Sequence, residues 1–178
     1  MRIIGLAGWS GAGKTTLLAR IIPRLVARGY TVSTVKHAHH DFDVDTPGKD
    51  SHVHRMAGAT EVLVGSSRRW ALMHELRDRP EPSIYDLLSR LSPVDLVLIE
   101  GFKAAHHARI EVYRRNVGKP PLHPDSPEIT AIVSDTPFPD AGRPVVHIDD
   151  IEGVVDLVLA RAERLDAMLA RAQEAAGT

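Results

Sequence analysis

Cysteine is absent from this chain of 178 residues, so the protein has neither a disulfide framework nor a thiolate metal site. An excess of basic residues is missing too, because 22 Lys and Arg stand against 23 Asp and Glu. That balance argues against a nucleic-acid binder that relies on a basic surface. No apolar stretch approaches the ~20 residues of a membrane span, and no signal-peptide core follows Met1. We therefore expect a cytoplasmic protein without nucleic-acid or membrane partners.

The length and composition are those of one ordinary globular domain. Hydrophobic residues make up 43% of the chain and charged residues 25%, which suffices for a packed core under a polar surface. We predict one domain over residues 1–172 and a disordered tail over residues 173–178.

Strand-like and helix-like segments alternate along the chain. This order predicts an α/β fold in which helices flank a mostly parallel sheet. The segment 60–74 carries Arg68 and Arg69 between two apolar runs, which indicates a β-hairpin or an extended arm. The predicted strands are 2–7, 31–36, 60–66, 69–74, 94–100, 109–114, 129–134 and 144–148, and the predicted helices are 14–28, 49–57, 83–91 and 151–172.

A complete phosphate-loop motif, G-x-x-x-x-G-K-T, occupies residues 8–15 between the first strand and the first helix. Its glycines let backbone N–H groups point inward at an anion, and the helix N-terminus adds a favourable dipole. Lys14 is placed to reach the β- and γ-phosphates, and the Thr15 hydroxyl to bind Mg²⁺. We therefore predict a P-loop NTPase-like nucleotide site. Its binding residues are Gly8, Ser10, Gly11, Ala12, Gly13, Lys14, Thr15 and Thr16.

Glu100 ends the apolar strand 94–100. Ligands of open α/β sheets bind at the carboxyl ends of the strands, so this carboxylate is a candidate to hold Mg²⁺ or to orient a water molecule. The competing interpretation is an exposed strand-end residue. Gly101 would let the backbone approach a phosphate closely.

The segment 36–51 concentrates His and Asp side chains after the second strand. Its aspartates offer carboxylates to the Mg²⁺ shell, but the segment lacks the Gly and Glu of a calcium loop. Its histidines are either polar loop residues or ligands of a borderline metal, although side chains on a regular strand alternate faces and cannot all reach one ion. The residues in question are His37, His39, His40, Asp41, Asp43 and Asp45.

Asp135 follows the strand 129–134 and is a candidate for reading the base. The usual guanine-reading motif N-K-x-D is missing, but an aspartate here can accept two N–H groups from guanine. A plain turn residue before Thr136 and Pro137 is the alternative.

Several other residues allow two interpretations each. Trp9 either stacks on a ring or covers the loop. A second group of cations is either a second anion site or a set of solvated strand ends, and its members are Lys103, Arg109, Arg114 and Arg115. We interpret four further histidines as polar loop residues or local hydrogen-bond donors: His52, His54, His106 and His107.

Five motifs lie at residues 7–16, 36–51, 69–73, 97–103 and 132–135. Taken together, they resemble those of the molybdopterin-guanine dinucleotide biosynthesis protein B family. The resemblance implies a phosphate-loop α/β fold, GTP with Mg²⁺, at most slow GTP hydrolysis, and homodimerisation through intertwined sheets. It also implies a partner, the molybdopterin guanylyltransferase that joins GMP to a molybdopterin-type cofactor. By position, the Asp45 and Glu100 carboxylates would surround the γ-phosphate and act in catalysis. Both would also bind the metal ion, together with the Thr15 hydroxyl.

Three functions are consistent with these observations. A GTP-binding adaptor explains a full phosphate site without an acceptor-substrate motif. A GTP-dependent nickel metallochaperone would use the histidine-rich segment, although cysteine and N-K-x-D are absent. A small-molecule kinase would transfer the γ-phosphate to an acceptor.

Overall fold

A computed structural model describes residues 1–38 and 42–176 of the chain. Two compact units emerge from it. The first contains Met1–His37 and the described residues from Ile84 onward, and the second contains the described residues of Ala38–Ser83.

Up to residue 161 the elements follow the predicted order. In the first unit they are β1 (Arg2–Ala7), α1 (Lys14–Ala27), β2 (Val32–Lys36), α3 (Ile84–Leu88), β5 (Leu96–Glu100), β6 (Arg109–Tyr113), β7 (Ile129–Ser134), β8 (Val145–His147), α4 (Ile151–Arg161), β9 (Glu163–Arg164) and α5 (Leu165–Ala176). The second unit holds α2 (Asp50–Met56), β3 (Glu61–Gly65) and β4 (Trp70–His74). Short 3₁₀ helices span Arg115–Val117 and His123–Asp125. None of these described helices combines the length and apolar content needed to cross a bilayer.

The first unit is built on one sheet with the strand order β2-β5-β1-β6-β7-β8. All these strands are parallel, and only β9 pairs antiparallel, with the start of β1. The first four residues of β5 are fully buried, because the sheet is covered on both faces. One core cluster lies under α1 and α4, and the other contains residues of α3 and α5. The predicted α/β fold with a mostly parallel sheet is therefore confirmed.

The second unit contains the predicted hairpin. Strands β3 and β4 pair antiparallel from Glu61 opposite His74 to Gly65 opposite Trp70. Helix α2 contacts β3 in the same unit. The segment 60–74 is therefore a β-hairpin, as its two apolar runs indicate.

The predicted helix 151–172 is wrong as a single element. The backbone becomes extended at Ala162, and Glu163 and Arg164 form β9 before α5 begins. The apolar periodicity continues through the break, but its two halves serve opposite faces of the sheet. Val154 and Val155 of α4 pack in one core cluster, whereas Met168 of α5 packs in the other. One straight helix cannot reach both faces, so the chain turns along the start of β1.

The carboxyl-terminal end also differs from the expectation. Helix α5 continues through Ala176, so the first part of the expected disordered tail is helical. Alanine, glutamine and glutamate, which occupy residues 173–176, have high intrinsic helix propensity. The interpretation of residues 1–172 as one domain stays a prediction.

Candidate functional site

The phosphate loop joins β1 to α1 through three glycines with positive φ angles. Gly8, Gly11 and Gly13 have φ values of 143°, 81° and 92°. At Gly8 the loop also runs so close to β6 that a Cβ would lie 2.5 Å from the Val112 carbonyl oxygen. Glycine is therefore required at this residue for space as well as for backbone angle.

Helix α1 begins directly after this loop with its backbone amides open to a ligand. Gly13 is the N-cap residue, and no side chain among the described residues caps the helix start. The first four N–H groups of a helix lack intrahelical partners, and its dipole favours negative charge there. The start of α1 therefore has the donors that a phosphate needs.

A cleft of about 410 Å³ lies over this loop. Most of the predicted binding residues line it, so the structure brings them together as the motif indicates. Ala12 is 2% exposed and packs in the core, and the Gly8 carbonyl accepts a hydrogen bond from Lys14 Nζ at 2.8 Å. The lining residues are Ser10, Gly11, Gly13, Lys14, Thr15, Thr16, Lys36 and Glu100.

Thr15 and Glu100 meet at this cleft. The Thr15 hydroxyl lies 3.2 Å from each oxygen of the Glu100 carboxylate and donates to it. Strand β5 is the neighbour of β1, and its carboxyl end places Glu100 at the start of α1. A hydroxyl and a carboxylate this close are oxygen ligands of the kind that Mg²⁺ prefers. The pair fits Mg²⁺, bound directly or through a water molecule.

The cleft carries positive charge beyond the motif itself. Burial lowers the pKa of Lys14, the Glu100 carboxylate opposes that shift, and the charges of Lys103 and Lys36 lower it further. The ammonium group donates to the carbonyls of Gly8 and Trp9. A bound polyanion would compensate three neighbouring cations at once.

Asp135 lies in a second, smaller cavity of about 240 Å³, lined also by Arg115, Thr136 and Pro137. Its Oδ1 accepts hydrogen bonds from the Arg115 amide at 3.0 Å and from the Thr136 hydroxyl at 3.1 Å. Among the described residues, no hydrogen bond reaches Oδ2. The carboxylate is therefore held in place with one oxygen available for a ligand.

A second segment of the chain holds the phosphate loop in place, and the sequence pattern does not predict this contact. Trp9 Nε1 donates to the Pro120 carbonyl at 2.8 Å, and Lys119 lies 5.8 Å from the Trp9 ring centroid. Trp9 thus joins the loop to residues 118–123, a segment that we call the proline strap. Its anchor is Glu111 in β6, which is 1% exposed.

Glu111 accepts three hydrogen bonds from the proline strap. The donors are the amides of Leu122 and His123, at 2.6 and 3.0 Å, and the His123 ring at 2.8 Å. The local hint of such an anchor is a carboxylate between the apolar residues Ile110 and Val112 of β6. Sequence reasoning missed it because the partners are brought together by the return of the chain onto β6.

Arg109 and His107 correct two sequence interpretations. Arg109 is 8% exposed and donates to the carbonyls of Lys103 and Ala105, so it holds a loop and is not a solvated strand end. His106 pairs with Glu128 as a local hydrogen-bond partner. His107 instead is 1% exposed, and neither ring nitrogen has a hydrogen-bond partner in the part of the chain that the structure describes. Burial together with the Arg109 charge lowers its pKa to about 4. It packs against Gly5, where a Cβ would overlap with its Nε2.

Asp45 lies in the second unit, in a cluster centred on Arg55. Its carboxylate accepts from the Arg55 guanidinium at 2.9 and 3.1 Å, and its side chain is 2% exposed. These hydrogen bonds hold the pKa of Asp45 below its usual range. Arg55 also pairs with Asp43 and Glu75. The role of Asp45 near the γ-phosphate and Mg²⁺ stays a prediction.

The histidine-rich segment is described only in part. His37 packs against Phe102 with ring centroids 4.8 Å apart and the ring planes tilted by 33°. His39, His40 and Asp41 lie outside the described residues. Within residues 1–38 and 42–176, no three His, Asp or Glu side chains group into a metal site. The metallochaperone interpretation gains no support from this part of the chain.

This fold and this site define a phosphate-loop nucleotide-binding protein of the α/β class. Comparison with known proteins narrows the class: the family model of molybdopterin guanine dinucleotide synthesis protein B matches residues 3–135. The chain belongs to that family.

Curated relatives support the same assignment. The molybdopterin-guanine dinucleotide biosynthesis adapter protein of Escherichia coli is 44% identical over 161 residues, which cover 88% of this chain and 91% of the relative. The protein of the same name from Haemophilus influenzae is 37% identical over 159 residues, covering 88% of this chain and 86% of the relative.

Solved structures agree with the fold. A crystal structure of molybdopterin-guanine biosynthesis protein B is 29% identical with a TM-score of 0.66, covering 89% of this chain and 98% of that one. The structure of Bacillus subtilis MobB is 24% identical with a TM-score of 0.69, covering 92% and 99%. At that identity the second comparison supports the fold alone.

Proposed function

We propose that this chain binds GTP with Mg²⁺ at the phosphate loop and serves as an adaptor for a molybdopterin guanylyltransferase. The observation that carries the proposal is the Thr15–Glu100 pair beside the uncapped start of α1, with Lys14 in the same cleft. The adaptor role follows from the family and from the names of the relatives.

The residues divide the nucleotide between them. The loop amides and Lys14 hold the phosphates, while Thr15 and Glu100 hold Mg²⁺, which neutralises phosphate charge when bound. Asp135 accepts hydrogen bonds from the N–H groups of the guanine edge. Any GTP hydrolysis by this protein is slow. The protein acts in the cytoplasm, where GTP and Mg²⁺ are abundant.

Calorimetry with Lys14→Ala tests the site. Loss of a charge-assisted contact is expected to weaken GTP binding roughly 10- to 100-fold, or about 1.5 to 3 kcal/mol. Arg24→Ala is the matched control, because Arg24 lies in the last turn of the same helix and pairs with Glu152 at 3.5 Å. Equal GTP affinity in the wild-type protein and in Lys14→Ala would contradict the assignment.

Base and metal preferences are tested in the same assay. GTP should bind more tightly than ATP, and Asp135→Ala should reduce that difference because an acceptor for the guanine N–H groups is lost. Removing Mg²⁺ should weaken GTP binding in the wild-type protein and have a smaller effect in Glu100→Gln. Equal affinity for GTP and ATP would contradict the guanine assignment.

A transfer assay tests the adaptor role. Molybdopterin-loaded guanylyltransferase should form dinucleotide product faster when this protein and GTP are present. A kinase would instead release phosphorylated acceptor over many turnovers, and that result would replace the adaptor proposal.

Homodimerisation is also part of this proposal. One face of the hairpin exposes three large apolar side chains: Leu63, Trp70 and Leu72. Their pairing across β3 and β4 places them on the same face. A second copy of this chain would cover that face.

A further inference from the structure

The side chain of Arg114 lies against the phosphate loop. Its Nε is 3.3 Å from the position that a Cβ on Gly13 would take, and an Nη is 4.0 Å from it. No hydrogen bond and no ion pair within the described residues engages this guanidinium. A half-buried cation at the start of α1 thus has five N–H donors to offer a ligand.

The strand order indicates which part of a bound nucleotide would lie next to Arg114. Adjacent strands run β5, β1, β6 and β7. Glu100 ends β5 on the Mg²⁺ side, the phosphate loop follows β1, and Asp135 follows β7 in the second cavity. Arg114 follows β6, between the loop and Asp135. In a nucleoside triphosphate, the α-phosphate and ribose lie between the β-phosphate and the base.

The charge of Arg114 also acts on Asp149. Together with Arg20 and His147 it lowers the pKa of Asp149, for which the Arg20 hydrogen bond is the leading cause. Arg20 takes up the nearer oxygen of Asp149 at 3.0 Å, whereas Arg114 has no such contact. The guanidinium therefore stays available for an anion.

We propose that Arg114 binds the α-phosphate of the guanine nucleotide and so connects the phosphate loop to the base pocket. The inference rests on the proposed nucleotide-binding function. A planar guanidinium forms paired hydrogen bonds with phosphate oxygens, which an ammonium group cannot reproduce. The contact would be common to GTP, GDP and GMP and absent from guanosine.

Affinities for this series test the proposal by displacement of a fluorescent GTP analogue. Arg114→Ala should lose roughly 10- to 100-fold in affinity for GTP, GDP and GMP alike, and less than about 2-fold for guanosine. Arg114→Lys should recover part of the loss, because it keeps the charge. Arg24→Ala, whose guanidinium pairs with Glu152, should bind the whole series as the wild-type protein does.

Each contrary result has a distinct meaning. A loss confined to GTP would place Arg114 at the γ-phosphate, and an equal loss for guanosine would make it a structural residue; both overturn the proposal. Unchanged affinities overturn it as well. If the wild-type protein binds none of the nucleotides, the proposed function itself fails. Arg114→Gln serves in place of Arg114→Ala if the latter melts below the control.

Discussion

At the scale of single residues, the glycines of the phosphate loop differ in what surrounds them. Gly8 and Gly11 both have positive φ angles, yet only Gly8 is crowded, by the Val112 carbonyl. Among the described residues, no atom lies within 4 Å of a Cβ built on Gly11. The two residues therefore separate backbone strain from steric overlap.

We predict that Gly8→Ala destabilises the protein by roughly 2 to 5 kcal/mol, because strain and overlap add. Gly11→Ala should cost only about 1 to 2 kcal/mol, for its left-handed backbone. Urea unfolding of both variants measures the difference. Equal losses would show that β6 moves away from Gly8 freely.

His107 gives stability a dependence on pH. Its pKa falls from 6.5 to about 4 on folding, because burial disfavours the charged ring and Arg109 adds a like charge. The unfolded chain takes up this proton below about pH 6.5, while the folded protein does so only near pH 4. Acid in that window therefore favours the unfolded state.

We predict that His107 contributes a loss of about 2 to 3 kcal/mol of unfolding free energy between about pH 7.5 and pH 4.5. His107→Gln removes the titration, so its stability should fall less steeply over this window. Parallel curves for wild-type and His107→Gln would refute the assignment.

At the scale of elements, the proline strap depends on one buried carboxylate. Three donors converge on Glu111, and Pro120 in turn holds Trp9 of the phosphate loop. Glu111→Gln replaces an acceptor by a donor and leaves a buried amide unpaired, which costs about 1 to 3 kcal/mol. The strap should then loosen.

Trp9 reports this change directly in a Trp70→Phe background, since the chain has two tryptophans. We expect Trp9 emission to shift in Glu111→Gln, because its N–H loses a fixed partner. Glu152→Gln alters only exposed ion pairs and should leave the spectrum unchanged. An unchanged spectrum in Glu111→Gln would contradict the prediction that Glu111 fixes Trp9 through the proline strap.

The predictability of these elements follows the range of the forces that form them. The phosphate loop is local, because its spacing alone fixes the turn and the helix start. Glu100 is predictable too, since parallel strands end at one edge of a sheet. The break at Ala162 is not predictable. The apolar periodicity of a segment shows that it has a buried face, but not which face of the sheet it covers. Glu111 and His107 escape for a related reason: their burial depends on segments that return from elsewhere in the chain.

At the scale of the whole molecule, the hairpin of β3 and β4 has an exposed apolar face. A two-stranded ribbon is marginally stable by itself, and its free edges and apolar face favour pairing. Leu63 is 65% and Trp70 67% exposed on one face, whereas Val62 on the other face is buried. The net charge of −1 opposes association only weakly.

We predict that the wild-type protein is a dimer and that Leu72→Ser weakens it, because Leu72 lies on the face shared with Leu63 and Trp70. Val64→Ser is the matched control: Val64 has the same 45% exposure as Leu72 but points to the opposite face. Sedimentation equilibrium should give at least a 10-fold larger dissociation constant for Leu72→Ser than for Val64→Ser. A monomeric wild-type protein, or equal effects of the two changes, would assign this apolar face to a different partner, and the guanylyltransferase would then be the first to test for binding there.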